Sequence, residues 1–107
     1  MANIIVRGTT PSFIYTCNSI QVSDIATIYL TITQNGTTKI EKDKTSATID
    51  TTHNTVTWKL TQAETLTLDT TKVASVYCKW KLTSDGTVGE AVQIDVRINP
   101  TGKDEVI

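Results

Sequence analysis

The chain contains a single histidine, His53, and histidine is the side chain best suited to proton transfer and metal binding near neutral pH. It falls in a predicted loop, between Thr52 and Asn54. A catalytic base or a metal ligand needs a neighbouring group that orients its ring, and the sequence offers none near His53. We therefore interpret His53 as a solvated loop residue.

Two cysteines, Cys17 and Cys78, are the other residues with reactive side chains. One interpretation is a disulfide between two sheets with a tryptophan packed on it, as in antibody domains. Trp58 lies too far from Cys17 for that pattern, and Trp80 falls on the same predicted strand as Cys78. The other interpretation, which we favour, is that both cysteines are small buried apolar residues in a reducing compartment.

The acidic residues mostly stand singly, at predicted strand ends or in loops. A calcium loop needs several oxygen ligands in close succession and a glycine at the bend, and no segment has that spacing. The chain also lacks a glycine-rich phosphate loop and the glycine-flanked serine of a hydrolase. We therefore expect no enzyme activity, no metal and no cofactor. The isolated acids are Asp24, Asp43, Asp50, Asp69 and Asp85.

Charge and hydropathy argue against two classes of partner. The 107 residues carry a formal net charge of −1, and the basic residues are scattered, so we expect neither nucleic acid nor an anionic membrane to bind. No apolar run approaches the ~20 residues of a membrane span.

The N-terminal apolar run is short, is closed by Arg7 and does not resemble a secretory signal. We expect the protein to be made and kept in a reducing cytoplasm, or to be released by lysis.

The elements that position these side chains are predicted to be β-strands. Threonine is frequent, with 22 residues, and its β-branched side chain favours strands. A sustained 3.6-residue apolar period, which would indicate helices, is absent. Residues 25–33 alternate most clearly, with Ile28, Leu30 and Ile32 on one face.

The opposite face of residues 25–33 is the candidate protein-contact surface. This segment carries no charge on either face, whereas exposed strands usually carry charges that prevent pairing with other chains. One interpretation is a central strand covered on both edges. The other is that its outer face lies in a permanent protein–protein contact. The residues of this face are Thr27, Tyr29, Thr31 and Thr33.

The first predicted hairpin turns at residues 34–36. A two-residue Asn-Gly turn would pair apolar residues with polar ones, here Ile32 with Lys39. A three-residue loop instead places Leu30 opposite Ile40 and keeps the apolar face continuous. We therefore predict the three-residue loop.

Two further hairpins are predicted by the same matching of faces. A four-residue loop at residues 51–54 places Ile49 opposite Val56. A three-residue loop at residues 84–86 joins two alternating segments, residues 72–83 and 88–98. It places Val76 opposite Ile94 and Cys78 opposite Val92.

Two other features, the tryptophans and a capped helical turn, complete the predicted layout. Trp58 and Trp80 fall on the apolar faces of their strands, so we interpret them as core residues rather than as platforms for stacking sugars. Residues 61–64 have the spacing of a helix capping box, Thr61 followed three positions later by Glu64. They predict one helical turn that crosses between the sheets.

These segments predict an all-β fold, an immunoglobulin-like antiparallel β-sandwich of seven to eight strands with one short helical turn near residues 61–65. A chain of this length supports one hydrophobic core. We therefore assign residues 1–100 to a single domain and residues 101–107 to a short C-terminal tail.

The order of these segments resembles a group of small prophage-encoded proteins of Gram-positive bacteria. The layout is also similar to the N-terminal β-sandwich of phage upper-baseplate proteins. The resemblance is carried by an apolar opening and by segments placed along nearly the whole chain. They are Arg7-Gly8-Thr9-Thr10-Pro11, Gln34-Asn35-Gly36, Leu60-Thr61-Gln62-Ala63-Glu64-Thr65, Asp85-Gly86 and Glu105-Val106-Ile107.

The resemblance implies a structural subunit of a phage or prophage virion, associated with the tail or baseplate and made in the cytoplasm of the bacterial host. The implied partners are other virion proteins and further copies of the chain, and no catalytic residue is implied. Two alternatives stay open. One is a capsid decoration protein, and the other is a carbohydrate-binding or adhesin module that contacts the host cell wall.

Overall fold

The computed structural model describes residues 3–91 and 94–107, and this part of the chain forms nine β-strands and one short α-helix, α1 (Gln62–Thr65). The strands are β1 (Asn3–Val6), β2 (Ser12–Thr16), β3 (Ile25–Gln34), β4 (Thr37–Lys42), β5 (Thr48–Asp50), β6 (Thr55–Lys59), β7 (Ala74–Leu82), β8 (Val88–Glu90) and β9 (Ile94–Asn99).

The strands form two sheets, which confirms the predicted all-β sandwich. The larger sheet has the order β1-β9-β7-β3-β4, with β8 also paired to β7, and the smaller sheet has the order β2-β6-β5. Among the described pairs, only β1 and β9 run parallel. The count of nine exceeds the predicted seven to eight partly because the segment predicted as one strand over residues 88–98 forms two, β8 and β9.

The core lies between the sheets, and β3 forms its centre. Ile28, Leu30 and Ile32 are each 0% exposed, as the alternation of this strand predicts. β3 pairs with β7 on one side and with β4 on the other, so both of its edges are covered. This confirms the interpretation of the uncharged segment as a central strand, and the side chains on its outer face take no part in that edge pairing.

The turn between β3 and β4 differs from the prediction. Gln34 pairs with Thr37, so the loop has two residues, and Asn35 and Gly36 have φ values of +52° and +79°. Positive φ at both central positions is the geometry of a type I′ hairpin turn. The three-residue prediction was wrong because a register shift after Ile32 accommodates one extra residue on β4 and restores the match of apolar faces.

The other predicted turns are largely confirmed. Ile49 lies opposite Val56 across the loop at residues 51–54. At the start of α1 the Thr61 hydroxyl accepts a hydrogen bond from the Glu64 N–H at 3.1 Å. The Glu64 carboxylate in turn accepts one from the Thr61 N–H at 2.8 Å. The two bonds form the predicted capping box.

The last hairpin is confirmed at one end and differs at the other. Val76 lies opposite Ile94, as predicted. Near the turn, the Leu82 N–H donates to the Thr87 oxygen at 2.9 Å, so the loop is one residue longer than predicted. The predicted position of Val92 lies outside the described residues.

The C-terminal segment beyond β9 contacts the body of the sandwich. The Arg7 guanidinium donates to the Asp104 carboxylate, and the Ile107 N–H donates to the Gln62 side-chain oxygen at 3.0 Å. Within the described residues, no helix has the length and apolar character needed to cross a membrane.

Candidate functional site

The predicted contact residues lie together on the outer face of β3. Tyr29 is 41% exposed, and the three threonines, Thr27, Thr31 and Thr33, are half-buried. Their position follows from the two-residue period of the strand, which turns Ile28 and its apolar neighbours into the core. The structure therefore brings all four predicted residues into one row at the middle of the larger sheet.

Charged side chains of the neighbouring strands border this row. On β7, Lys79 pairs with Tyr29 and Lys81 pairs with Thr27. On β4, Glu41 pairs with Thr31. The surface is therefore uncharged along β3 and charged along both of its neighbours, which makes it a mixed face rather than a broad uncharged one.

An open groove of about 400 Å³ follows this row. Tyr77 pairs with Thr31 on β7, so it lies diagonally from Tyr29, close enough for the two aromatic rings to share one surface. Glu90 pairs with Lys79 from the far side of β7. The groove is lined by Tyr29, Thr31, Glu41, Tyr77, Lys79 and Glu90.

The groove offers aromatic, carboxylate and ammonium groups on a rigid sheet. Tyrosine provides a large apolar contact area with few rotatable bonds, and its hydroxyl can donate or accept a hydrogen bond. The two carboxylates accept hydrogen bonds and the ammonium group donates them. These groups suit recognition of a polar surface.

Part of this site could be predicted from the sequence, and part could not. Alternation alone places Tyr77 and Lys79 on the outer face of β7. The predicted three-residue loop, with Leu30 opposite Ile40, would place Glu41 opposite Tyr29, whereas the bulge in β4 places it opposite Thr31. Glu90 joins the groove because β8 pairs with β7, a register that depends on the loop between them.

The two tryptophans have different environments although both were predicted to be core residues. Trp58 is 0% exposed, and its indole N–H donates to the Asp43 backbone oxygen at 3.0 Å. Trp80 is half-buried and stacks on Tyr15, with ring centroids 5.7 Å apart and an interplanar angle of 29°. The prediction is confirmed in full for Trp58, whereas Trp80 lies at the margin of the core.

Both cysteines are buried and neither forms a disulfide, which agrees with the favoured interpretation. Burial raises the pKa of the Cys17 thiol. Burial, with a smaller contribution from Cys17, raises the pKa of the Cys78 thiol to about 11. A thiol with so high a pKa carries almost no thiolate at neutral pH, so Cys78 is a poor nucleophile and a poor metal ligand.

His53 is exposed, as predicted, but it does have a partner. Its Nδ1 lies 2.7 Å from a carboxylate oxygen of Asp50, the last residue of β5, three residues earlier in the chain. The hydrogen bond from the His53 ring lowers the pKa of the Asp50 carboxyl, and backbone hydrogen bonds from His53 and Thr52 assist. The expectation that no orienting group stands nearby was therefore wrong, because the turn brings Asp50 back onto the ring.

Within residues 3–91 and 94–107, no group of three or more histidine, cysteine or acidic side chains lies close enough to hold a metal ion. No protein-family model matches the chain, and no curated protein matches its sequence.

Proposed function

We propose that the chain is a structural subunit of a phage or prophage virion, associated with the tail or baseplate, that assembles through the outer face of β3. The observation that carries the proposal is the row Thr27, Tyr29, Thr31 and Thr33, which is partly exposed and uncharged at the middle of a sheet. The order of segments along the chain, which resembles small prophage proteins and the N-terminal domain of upper-baseplate proteins, supports the virion setting.

The physical argument is one of rigidity and desolvation. β3 is held on both edges, so its outer face presents fixed positions to a neighbouring subunit and loses little conformational entropy on binding. Threonine and tyrosine lose less solvation free energy on burial than charged residues do. The bordering Lys79, Lys81 and Glu41 form a polar rim around this row, the arrangement typical of protein interfaces.

The location in the virion is tested by immunogold electron microscopy. Particles are prepared from prophage-induced cultures of the bacterium that encodes the chain and are labelled with antibody against this protein. Gold at the tail tip is the expected result. Gold over the head would replace the tail assignment with capsid decoration, and unlabelled particles would contradict the virion proposal.

The contact face is tested by charge substitution in the same particles. We expect Tyr29→Asp combined with Thr31→Asp to abolish incorporation of the protein, because two carboxylates would be desolvated in the contact. Thr48→Asp is the matched control, because it adds a carboxylate at an exposed threonine on β5, in the other sheet. Normal incorporation of the double variant would refute the assignment of this face.

A second candidate function, a carbohydrate-binding module, is favoured by one observation. The groove places Tyr29 and Tyr77 beside Glu41 and Glu90, and sugar rings bind where aromatic faces and carboxylates meet. NMR titration with solubilised cell-wall polysaccharide tests it. Saturable chemical-shift changes confined to residues of the groove would favour this function. Their absence would reject carbohydrate binding and leave assembly as the sole proposed function.

A further inference from the structure

A second surface, independent of the β3 face, lies at the edge of the smaller sheet. β2 is the end strand of the order β2-β6-β5, and among the described residues it pairs only with β6. Its sequence, Ser12 to Thr16, contains no charged residue and no proline. Exposed edge strands are ordinarily protected by charges, prolines or bulges, so an edge without them is open to pairing with another strand.

The backbone hydrogen bonds show which groups face that open edge. The Cys17 N–H donates to the Asn54 oxygen at 2.9 Å, and the Leu60 N–H donates to the Pro11 oxygen at 2.9 Å. Hydrogen-bonded pairs alternate along an antiparallel ladder, so the odd-numbered residues of β2 bond to β6. The N–H and C=O groups of the even-numbered residues, Ser12, Ile14 and Thr16, therefore point away from the sheet.

An apolar cluster accompanies these outward-pointing backbone groups. Ile14 is 67% exposed, and it lines an open cleft together with Ile4 and Ile94, which are 52% and 48% exposed. Phe13 and Tyr15 are half-buried on the inner side of the same strand. Exposed apolar residues grouped around an unpaired edge indicate an interaction site.

The sequence of β2 is symmetric about Ile14. Ser12 and Thr16 both carry a hydroxyl, Phe13 and Tyr15 are both aromatic, and Ile14 stands at the centre. We propose that β2 pairs antiparallel with β2 of a second copy of this chain, about a two-fold axis at Ile14. A two-fold contact places the same patch of both copies together, and such a patch must be complementary to itself.

The hydrogen-bonding pattern fits this register. With the axis at Ile14, Ile14 faces its own symmetry mate, and Ser12 of each copy faces Thr16 of the other. These are the residues whose N–H and C=O groups point outward, so each outward N–H meets an outward C=O. Phe13 then lies opposite Tyr15 of the second copy, which is an aromatic cross-strand pair. With no charge on either strand, no like charges oppose the contact.

The first test is the mass of this chain in solution, measured by sedimentation velocity over a range of concentrations. We expect a reversible dimer for the wild type. We expect Ile14→Lys to raise the dimer dissociation constant about tenfold or more, because two ammonium groups would face each other across the axis. Val73→Lys is the matched control, because Val73 is 58% exposed and lies outside β2, and we expect it to leave the constant unchanged.

Either of two results would overturn the proposal, namely a wild-type monomer at all concentrations or a dimer that Ile14→Lys leaves intact. Circular dichroism and thermal unfolding show whether each variant is folded. Ile14 is exposed, so the substitution should leave the monomer fold intact.

The second test fixes the register. In a hydrogen-bonded antiparallel pair the Cα atoms lie about 5.5 Å apart, and opposite Cβ atoms lie about 5 Å apart, so a short bifunctional maleimide can join two cysteines at these positions. Ile14→Cys should therefore form a covalent dimer with this cross-linker, whereas Val73→Cys should stay monomeric on a denaturing gel. Cys17 and Cys78 are buried and do not compete. Failure of Ile14→Cys to cross-link would refute this register. Because the β3 face is not involved, neither result alters the immunogold test of virion location.

Discussion

Trp58 and Trp80 show where the interior of this sandwich begins and ends. Each stands on the apolar face of a strand, Trp58 on β6 and Trp80 on β7. Trp58 is 0% exposed and has a hydrogen-bond partner for its indole N–H. Trp80 is half-buried, and an aromatic ring of the opposite sheet, that of Tyr15, covers one side of it.

The difference arises from the unequal sizes of the two sheets. The smaller sheet has three strands and the larger one has six, so the smaller sheet leaves part of the inner face of the larger one uncovered. Trp80 lies opposite Ile28 of β3 on one side and Gly89 of β8 on the other. A Cβ atom at Gly89 would come within 2.5 Å of the Trp80 indole, so the indole occupies space that only glycine leaves free. Alternation of residue types identifies the inner face, but only tertiary packing determines how much of it is covered.

The largest expected effect comes from removing the enclosed indole. Trp58→Ala should lower the free energy of unfolding by about 3–5 kcal/mol, because it leaves a large cavity between the sheets. Chemical denaturation monitored by circular dichroism measures this loss. Trp58→Phe is the control that keeps an aromatic ring while it removes the hydrogen bond to Asp43, and it should cost clearly less. Equal losses from Trp58→Ala and Trp80→Ala would contradict the distinction between the two sites.

A smaller effect is expected at the margin. Trp80→Ala should lower the free energy of unfolding by about 2 kcal/mol, because part of the indole surface is already hydrated and less apolar area returns to water. The same denaturation experiment measures it. A loss as large as that expected for Trp58→Ala would mean that Trp80 belongs to the enclosed core.

Gly89 offers a sharper test of how Trp80 is packed. Gly89→Ala should cost about 1–2 kcal/mol, because the added methyl group displaces the indole from its position over the β8 backbone. In a Trp80→Ala background the same substitution should cost almost nothing. This double-mutant cycle isolates the contact, and equal costs in the two backgrounds would show that the indole does not lie over Gly89.

The smallest expected effect is a dependence on pH at Cys78, two residues before Trp80 on the same face of β7. Its folded-state pKa of about 11 exceeds the ordinary thiol value of 9.0, so the folded state disfavours the thiolate. The contribution of Cys78 to stability is therefore complete below about pH 9 and is lost as the pH rises toward 11. The loss should stay under about 1 kcal/mol at pH 9.5.

Denaturation of the wild type and of Cys78→Ala from pH 7 to 9.5 measures this loss. The variant should show a flatter dependence on pH, because one buried thiol is missing. Parallel curves would show that water reaches the thiol and that Cys78, like Trp80, belongs to the margin of the core.

Elements defined by local pattern were predictable from the sequence. The alternation of residues 25–33 identified β3 and both of its faces, and the spacing of Thr61 and Glu64 identified the capped turn of α1. The two-residue turn at Asn35-Gly36 was not predicted correctly, although its residue types are those of a two-residue hairpin. A bulge in β4 corrects the register, and its extra residue lies on an exposed strand face where no hydrophobic pattern marks it.

Features that depend on contacts between separate segments of the chain also could not be predicted from the sequence. The four residues of the β3 row could be assigned to one face by parity, but Glu90 joins their groove only through the pairing of β8 with β7. The contact between Asp50 and His53 depends on the path of a loop. The parallel pairing of β1 with β9 joins the first and the last of the described strands, and neither strand carries a local signal for its partner.

The parallel pairing of β1 with β9 has a consequence for the order of events during translation. Of the described strands β1 is made first, yet its described partner β9 is the last of them to leave the ribosome. Until then the Ala74–Val76 end of β7 lacks its neighbour on that side, and β1 has no strand to join. Closing so long a loop is slow, so we expect the larger sheet to be completed only after β9, which ends at Asn99, has been synthesised. A nascent chain in that state exposes apolar strand edges of the kind that chaperones bind.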